Sequence, residues 1–429
     1  MQRLPHTRPA RVLPLALAAL LAVLAAVLPA GALAAVARAA RGLGAVRAQL
    51  SHEMAVAGDG SGAYVYDLTT NQVLFSQRAS AMHPPASVEK LYTATAALHY
   101  MGPAARLQTT VMGAGRMGPE GTWDGSLYLR GGGDPTFGSA PFIGAHYGGH
   151  GASVGQLVSQ LTHTDGITAV TGRVEGDESY FDSLRGEPSS GYAPDPYLEG
   201  TLSALSFDRG AQGSERGAHA PAAYAALQLR RALAHAHVPV HGPAGAAPTP
   251  THAQVLASVS SPTLAELLAL TLPPSDNFFA ETLVKDLGAR YGGRGTTAAG
   301  AAVVRRALAP MGLHPSIVDG SGLSREDLTS PLQVVTLLRE LAPTPDGTLL
   351  RDSMAVAGHT GTLEARMRHT TAAGRCQAKT GTLIGVSNLA GYCQALDGHT
   401  LAFAFFNDGI EIAAAHTVQD NMAITLAGY

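Results

Sequence analysis

Lysine is scarce in this chain of 429 residues. Three lysines stand beside 26 arginines, and two of the three complete short motifs, Ser87-Val88-Glu89-Lys90 and Lys379-Thr380-Gly381. An amine can lose its proton when buried and a guanidinium effectively cannot, so a basic side chain kept as lysine is a candidate general base. Three positions apart on a helix, Ser87 and Lys90 share one face with Cβ atoms about 5–6 Å apart, within reach for a neutral amine to take the hydroxyl proton. Burial and a nearby Lys379 charge would both disfavour a second ammonium at Lys90. The chemistry this suits is nucleophilic acyl transfer. Between the two motifs lies Ser275-Asp276-Asn277. In an extended loop, residues two apart point the same way, so Ser275 and Asn277 are expected to face one cleft and Asp276 to point away. After Pro273-Pro274 the triplet also suits a helix N-cap. Gly381 leaves its strand with no side chain to obstruct a peptide lying alongside.

Each motif alone is weak. S-x-x-K is expected about once or twice by chance in a chain of this length, and an isolated Ser87 would suit the first turn of any helix. All three in this order resemble the active-site set of the penicillin-binding proteins and class A β-lactamases. Pro85-Ala86-Ser87, Gly131-Gly132-Gly133-Asp134-Pro135, Asp319-Gly320-Ser321-Gly322-Leu323-Ser324-Arg325 and Gly361-Thr362-Leu363 narrow the resemblance. They are similar to segments of class C penicillin-binding proteins, the D-alanyl-D-alanine carboxypeptidases/endopeptidases of peptidase family S13. The likeness covers nearly all of the chain after about residue 45 and is weakest between about residues 138 and 250.

The resemblance implies a serine-type peptidase that acts through an acyl-enzyme on peptidoglycan stem peptides ending in D-Ala-D-Ala. β-Lactams would be covalent inhibitors, and no cofactor is implied. Ser87 would be the nucleophile and Lys90 its base. Ser275 would relay a proton to the leaving amine, and Asn277 would bind the substrate amide and position Lys90. Lys379 and Thr380 would hold the terminal carboxylate, with the backbone N–H groups of Ser87 and Thr382 as oxyanion hole. Ser321 and Arg325 would sit at the rim and bind the polar end of the third stem residue, where an arginine fork suits a carboxylate. The Gly131 to Pro135 turn is expected only to close a strand. Two other readings share the fold. A β-lactamase is opposed by the lack of a clear Glu-x-x-Leu-Asn loop between the first two motifs, and a non-catalytic cell-wall binding module by the intact motifs.

These side chains need a scaffold. Gly62 to Leu68 and Gln72 to Phe75 are strand-like runs joined by a turn at Thr69-Thr70-Asn71. Pro84-Pro85 is expected to open a helix with Ser87 in its first turn. Cys376 to Leu383, Ser387 to Cys393 and Thr400 to Phe406 are expected to be three consecutive strands, followed by a C-terminal helix. Early and late strands would then close one sheet. The expected class is α/β (α+β): a β-lactamase/transpeptidase-like domain, its antiparallel sheet flanked by helices, interrupted by a β-rich insertion. Ser87 and Ser275 are 188 residues apart. Short strand-like pieces from about Thr110, a helix from about Pro221 to Ala236, and a Pro/Ala/Gly linker from Pro239 to Pro250 fill the gap. The expected division is residues 36–109 and 257–429 for the peptidase domain and 110–256 for the insertion.

Residues 1–35 are expected to be an export signal: Arg3, Arg8 and Arg11 precede an apolar Val12 to Leu28, and Ala32-Leu33-Ala34 supplies small residues for cleavage. An uncleaved membrane anchor is the alternative. Export permits oxidation, and a hairpin turning near Gly385 would set Cys376 and Cys393 opposite each other, so a disulfide is expected. The net charge of −3 comes without a basic block that would suggest nucleic acid, and the 17 histidines lack metal-ligand spacing. Oligomeric state is not legible.

Overall fold

The computed structural model describes residues 30–211 and 219–429. The stretch from Arg3 to Leu28 therefore lies outside the described residues, while Ala32-Leu33-Ala34 falls within helix α1 (Ala30–Ala57). Among the described residues no helix is long and apolar enough to cross a membrane.

The chain after α1 forms the hairpin β1 (Ser61–Asp67) and β2 (Gln72–Gln77), then α2 (Lys90–Met101). It continues through β3 (Gln108–Met117), β4 (Thr122–Gly131), β5 (Ala169–Val170), β6 (Val174–Asp177), α3 (Pro221–His235), β7 (Ala244–Ala246) and β8 (Gln254–Ser260). Helices α4 (Asn277–Tyr291), α5 (Thr297–Leu308) and α6 (Pro331–Leu341) follow. Last come β9 (Ala355–Val356), β10 (Cys376–Leu383), β11 (Val386–Gln394), β12 (Thr400–Asp408) and α7 (Ile412–Ala427).

The main sheet runs β2-β1-β12-β11-β10-β9, with every pairing antiparallel. Early and late strands meet where β1 lies on β12, as the strand-like runs predict. Because β12 is central and covered on both faces, Leu401 to Phe406 is a continuous apolar run instead of an alternating one. One face carries Ala63, Val65, Leu389, Phe403 and Phe405 against α1 and α7. The other carries Ala390, Tyr392, Ala402, Ala404 and Phe406 against α2, α4, α5 and α6. Each fully buried phenylalanine contributes about 1.5–3 kcal/mol, which keeps the sheet rigid between its two helical layers. Along β10 the alternation sends Cys376 and Ala378 to the α7 face, and Lys379 and Gly381 to the face of α2.

Every strand of the second sheet, β7-β6-β4-β3-β8 with β5 on β4, lies between Gln108 and Ser260. Its core of Trp123, Leu127 and Leu129 packs on Ala222, Ala226, Leu229 and Leu233 of α3. Three local expectations change. The segment Pro239 to Pro250 is not a free linker, because β7 pairs in parallel with β6. The helix expected after Pro84-Pro85 starts as a 3-10 turn, Ala86–Glu89, and becomes α-helical only at Lys90. Ser275 to Asn277 is not extended: Ser275 takes φ 68°, Asp276 is an extended N-cap, and Asn277 already begins α4.

Candidate active site

The turn carrying Ser87 is forced into place. Ala86 adopts φ 48°, a left-handed conformation unusual for alanine and found where surrounding contacts impose it. Those contacts come from β11, where Asn388 Nδ2 donates to the carbonyls of Pro84 and Pro85, each at 2.9 Å. In the run Pro85 to Lys90 only Ser87 is not buried. The 3-10 turn nearly eclipses positions i and i+3, so Lys90 lies beneath Ser87.

Lys90 Nζ lies 2.9 Å from Ser87 Oγ, 2.6 Å from Asn277 Oδ1 and 2.9 Å from the Ser321 carbonyl oxygen. Asn277 Nδ2 donates to the Tyr197 carbonyl at 2.7 Å, which fixes the amide with its oxygen toward the lysine. Two of the three neighbours of Nζ are thus pure acceptors. An ammonium would donate to all three oxygens, and a neutral amine would donate to the two acceptors and turn its lone pair to the Ser87 hydroxyl, so the same geometry serves the base before and after proton transfer. Burial pulls Lys90 down to about 8, against the charges of Asp319, Glu281, Asp276 and Glu89, which raise it.

Ser275 and Asn277 face the cleft, as expected, through a left-handed residue followed by a helix start instead of through an extended loop. Asp276 points away. Its Oδ1 accepts from Phe279 N at 3.0 Å and caps α4, and its Oδ2 accepts from Arg209. Ser275 Oγ accepts from Lys379 Nζ at 2.8 Å, and the same amine donates to the Thr380 carbonyl at 2.8 Å. Burial holds Lys379 well below the usual amine range, with the Lys90 charge as a second cause. Burial, one of the two expected causes, leads at both amines, and the repulsion between them disfavours two ammonium charges in the same cleft.

Gly381 lies against the turn that carries Ser87. A Cβ there would stand 2.5 Å from the Pro85 carbonyl oxygen and 3.1 Å from Val88 N. The strand can therefore approach Ser87 this closely only with glycine. Exposed Thr382 follows, paired with Ser387 of β11. On its other edge β10 pairs with β9 only at Gln377 and Ala378, so among the described residues no strand covers Lys379 to Leu383 on that side.

The loop Asp319 to Arg325 splits in two. Ser321 is fully buried, and its hydroxyl accepts from Leu323 N at 3.4 Å. The rim position expected for its side chain is thus corrected: only its carbonyl enters the site. That carbonyl is aimed by Glu281, whose Oε1 accepts from Gly320 N and Ser321 N at 2.9 and 2.8 Å. Burial and the Asp319 charge push Glu281 up to about 8. Arg325 is exposed at the rim and donates to the Ile384 carbonyl just past β10.

Cys376 and Cys393 sit directly opposite each other and are joined by a disulfide, as their placement predicts. It faces Val418, Met422 and Ala423 of α7, on the far side of β10 from Lys379. Sequence reading assigns no role to Asn388, Glu281, Arg209 or Thr362, whose Oγ1 lies 2.8 Å from Thr380 Oγ1. Only Thr362 had a signal, its place in Gly361-Thr362-Leu363.

Residues 44–195 and 197–429 match the D-Ala-D-Ala carboxypeptidase 3 (S13) family. A D-alanyl-D-alanine carboxypeptidase of Actinomadura sp. (strain R39) is 31% identical over 458 residues, covering 87% of this chain and 82% of that protein. The solved structure of penicillin binding protein 4 from Haemophilus influenzae superposes with a TM-score of 0.75 at 22% identity, over 89% of this chain and 99% of that one. A second structure of that protein, complexed with a β-lactam, gives a TM-score of 0.66 at 22% identity over 87% and 97%. At that identity the structures show a shared fold.

Proposed function

Because the chain belongs to the D-Ala-D-Ala carboxypeptidase 3 (S13) family, we propose that it is a serine-type D-alanyl-D-alanine carboxypeptidase that also cleaves peptide cross-links of peptidoglycan as an endopeptidase. One observation carries the catalytic assignment. Lys90 Nζ lies within hydrogen-bond reach of Ser87 Oγ and is held there by two acceptors, an arrangement that sets a buried amine to take the hydroxyl proton and keep its partners once charged.

The stem peptide lies along the uncovered edge of β10, where main-chain hydrogen bonds hold it as an added strand. Its terminal carboxylate meets Lys379, Ser275 and Thr380. In the empty cleft burial lowers both amines. The bound carboxylate supplies a counterion that keeps the proton on Lys379, whose charge in turn disfavours an ammonium at Lys90. Ser87 Oγ attacks the penultimate carbonyl carbon as its proton passes to Lys90 Nζ. The negative oxygen develops between the N–H groups of Ser87 and Thr382, and removing one such donor typically costs about 3–4 kcal/mol. Collapse breaks the C–N bond, and the departing D-alanine nitrogen takes the Ser275 hydroxyl proton, which Lys379 replaces; the proton that Lys90 took from Ser87 restores Lys379, so Lys90 is neutral again. Water then attacks the ester and gives a proton to Lys90, which hands it to Ser87 Oγ as the ester bond breaks, and Ser87 is regenerated. Arg325, exposed beyond Ile384, binds a free carboxylate on the third stem residue.

The substrates are stem peptides ending in D-Ala-D-Ala, and β-lactams acylate the same serine. The enzyme works outside the cytoplasmic membrane, a reading supported by the disulfide and by the apolar Val12 to Leu28 segment. Residues 110–256 form an accessory domain. The test is benzylpenicillin labelling followed by peptide mapping, with D-alanine release from a bis-acylated Lys-D-Ala-D-Ala peptide. One stable penicilloyl group on Ser87 together with D-alanine release is expected. Labelling elsewhere would remove the nucleophile assignment, and rapid benzylpenicillin turnover without D-alanine release would favour a β-lactamase.

A further inference from the structure

The segment between the first two motifs contributes a buried cation to the back of the site. Arg209 is 9% exposed, and each part of its guanidinium is occupied. Nε donates to Tyr147 Oη at 2.8 Å, one terminal nitrogen lies 3.5 Å from Glu199 Oε2, and the other donates to Asp276 Oδ2. The plane packs near the rings of Tyr147, Phe278 and Phe279, with centroids 5.5, 5.6 and 5.3 Å away. Its backbone is equally constrained. Asp208, Arg209 and Gly210 take φ of 50°, 58° and 80° in succession, and the Asp208 carboxylate holds Ser139 N and Oγ at 2.7 and 3.0 Å. Two non-glycine residues in the left-handed region persist only where surrounding contacts over-determine them.

The partner, Asp276, sits between the two cleft-facing side chains. Ser275 reaches Lys379, and Asn277 reaches Lys90. We infer that Arg209 is a positioning residue for the acyl-transfer reaction: by anchoring Asp276 from behind it fixes Ser275 and Asn277 against the two lysines and balances a carboxylate that would otherwise act on the base. The inference rests on the peptidase reading above. The Tyr197 carbonyl, from the same segment, holds Asn277 Nδ2, so the segment grips the triplet at two points. A lysine at 209 would carry the charge without the planar fork that serves Tyr147, Asp276 and the aromatic rings together.

The groups facing Lys90 are Glu89, Glu281, Asp319 and Asp276, all of which favour its ammonium, with Lys379 across the cleft. Removing Arg209 leaves Asp276 unbalanced, so the ammonium at Lys90 persists to higher pH and the acid limb of the acylation profile moves up. The cavity of about 560 Å3 that opens onto this pair, lined in part by Phe142, His146, Leu270 and Pro274, admits a small cation.

The experiment measures acylation of Ser87 by benzylpenicillin across pH in wild type, R209A, D276N and the double variant, with thermal unfolding recorded for each. A misplaced catalytic group costs about 10- to 100-fold, and that slowing is expected for R209A at neutral pH. Its acid limb should shift upward and return when D276N is added, and millimolar guanidinium, but not urea or sodium chloride, should recover part of the rate. Acylation of folded R209A within three-fold of wild type, or uniform slowing with an unmoved acid limb and no rescue, overturns the inference. If R209A does not fold, D276N alone decides: slower acylation with a lowered acid limb is expected, and an unchanged profile refutes the anchor. A wild-type protein that is not acylated at Ser87 would instead defeat the peptidase reading.

Discussion

Replacing Gly381 by alanine tests how closely the strand must approach the nucleophile. The new Cβ would lie 2.5 Å from the Pro85 carbonyl oxygen, 3.1 Å from Val88 N and 3.2 Å from Ala86 Cβ. Ordinary contact begins near 3.4 Å, so β10 and the turn must part by about 0.9 Å. Neither side yields easily. The Pro85 carbonyl is held by Asn388, and Ala86 already occupies a strained conformation. A shift of this order between nucleophile and substrate-binding groups costs about 100-fold in rate, or about 2.7 kcal/mol in the barrier. The second-order rate constant for acylation by benzylpenicillin, followed by intact mass, should fall accordingly while the protein stays folded and retains its disulfide. A variant that acylates within three-fold of wild type would show that the strand can retreat without harm, and the reasoning from close approach would be wrong.

Acylation should also depend on pH through Lys90. With its amine near 8 and the neutral form required, the acylation rate should rise about fifty-fold between pH 6 and pH 8 and level off above, whereas K90R should be inactive throughout because a guanidinium takes no proton; a flat profile, or near-normal labelling of K90R, refutes the assignment. Replacing both cysteines by alanine should lower stability by about 3 kcal/mol, since the bridge closes a loop over a separation of 17 residues. Because it faces α7, acylation of the still-folded fraction should change less than three-fold, and a larger loss would tie the bridge to the chemistry. Arg325→Ala should weaken kcat/KM about ten-fold or more on a stem peptide with a free carboxylate on its third residue, and little on bis-acylated Lys-D-Ala-D-Ala or benzylpenicillin. Equal losses on all three would make Arg325 a support of the whole cleft.

Much of the site is legible because its signals are local. Ser87 with Lys90 are one helical turn apart, Lys379 with Gly381 alternate along one strand, and Cys376 and Cys393 are symmetric about a tight hairpin. Asn388, Arg209 and Glu281 give no comparable signal. Each is an isolated polar residue whose meaning depends on a partner brought near by packing: the Pro84 and Pro85 carbonyls, Asp276, and the Gly320 and Ser321 amides respectively. The Ser321 side chain misleads for a related reason, since a Gly-rich loop looks like a rim, whereas here it folds under and presents a carbonyl. Ser275 to Asn277 shows that the right facing can be inferred from the wrong backbone. Alternation predicts one shared side, and a left-handed residue before a capped helix reaches the same result.

The disulfide also bears on which face of β10 the Lys379 amine occupies. In a strand with period two, slipping by a single residue against β11 would carry Lys379 and Gly381 to the α7 side and turn Thr380 toward Ser87. Such a slip would bury the Lys379 amine in the apolar α7 layer and put a threonine where only glycine fits against the Pro85 carbonyl. Cys376 and Cys393 can bond only when they stand opposite each other, as they do. The cross-link therefore reinforces a register that Gly381 already requires: it pins the open end of the hairpin, while the close fit of the glycine against the Ser87 turn keeps Lys379 facing Ser275.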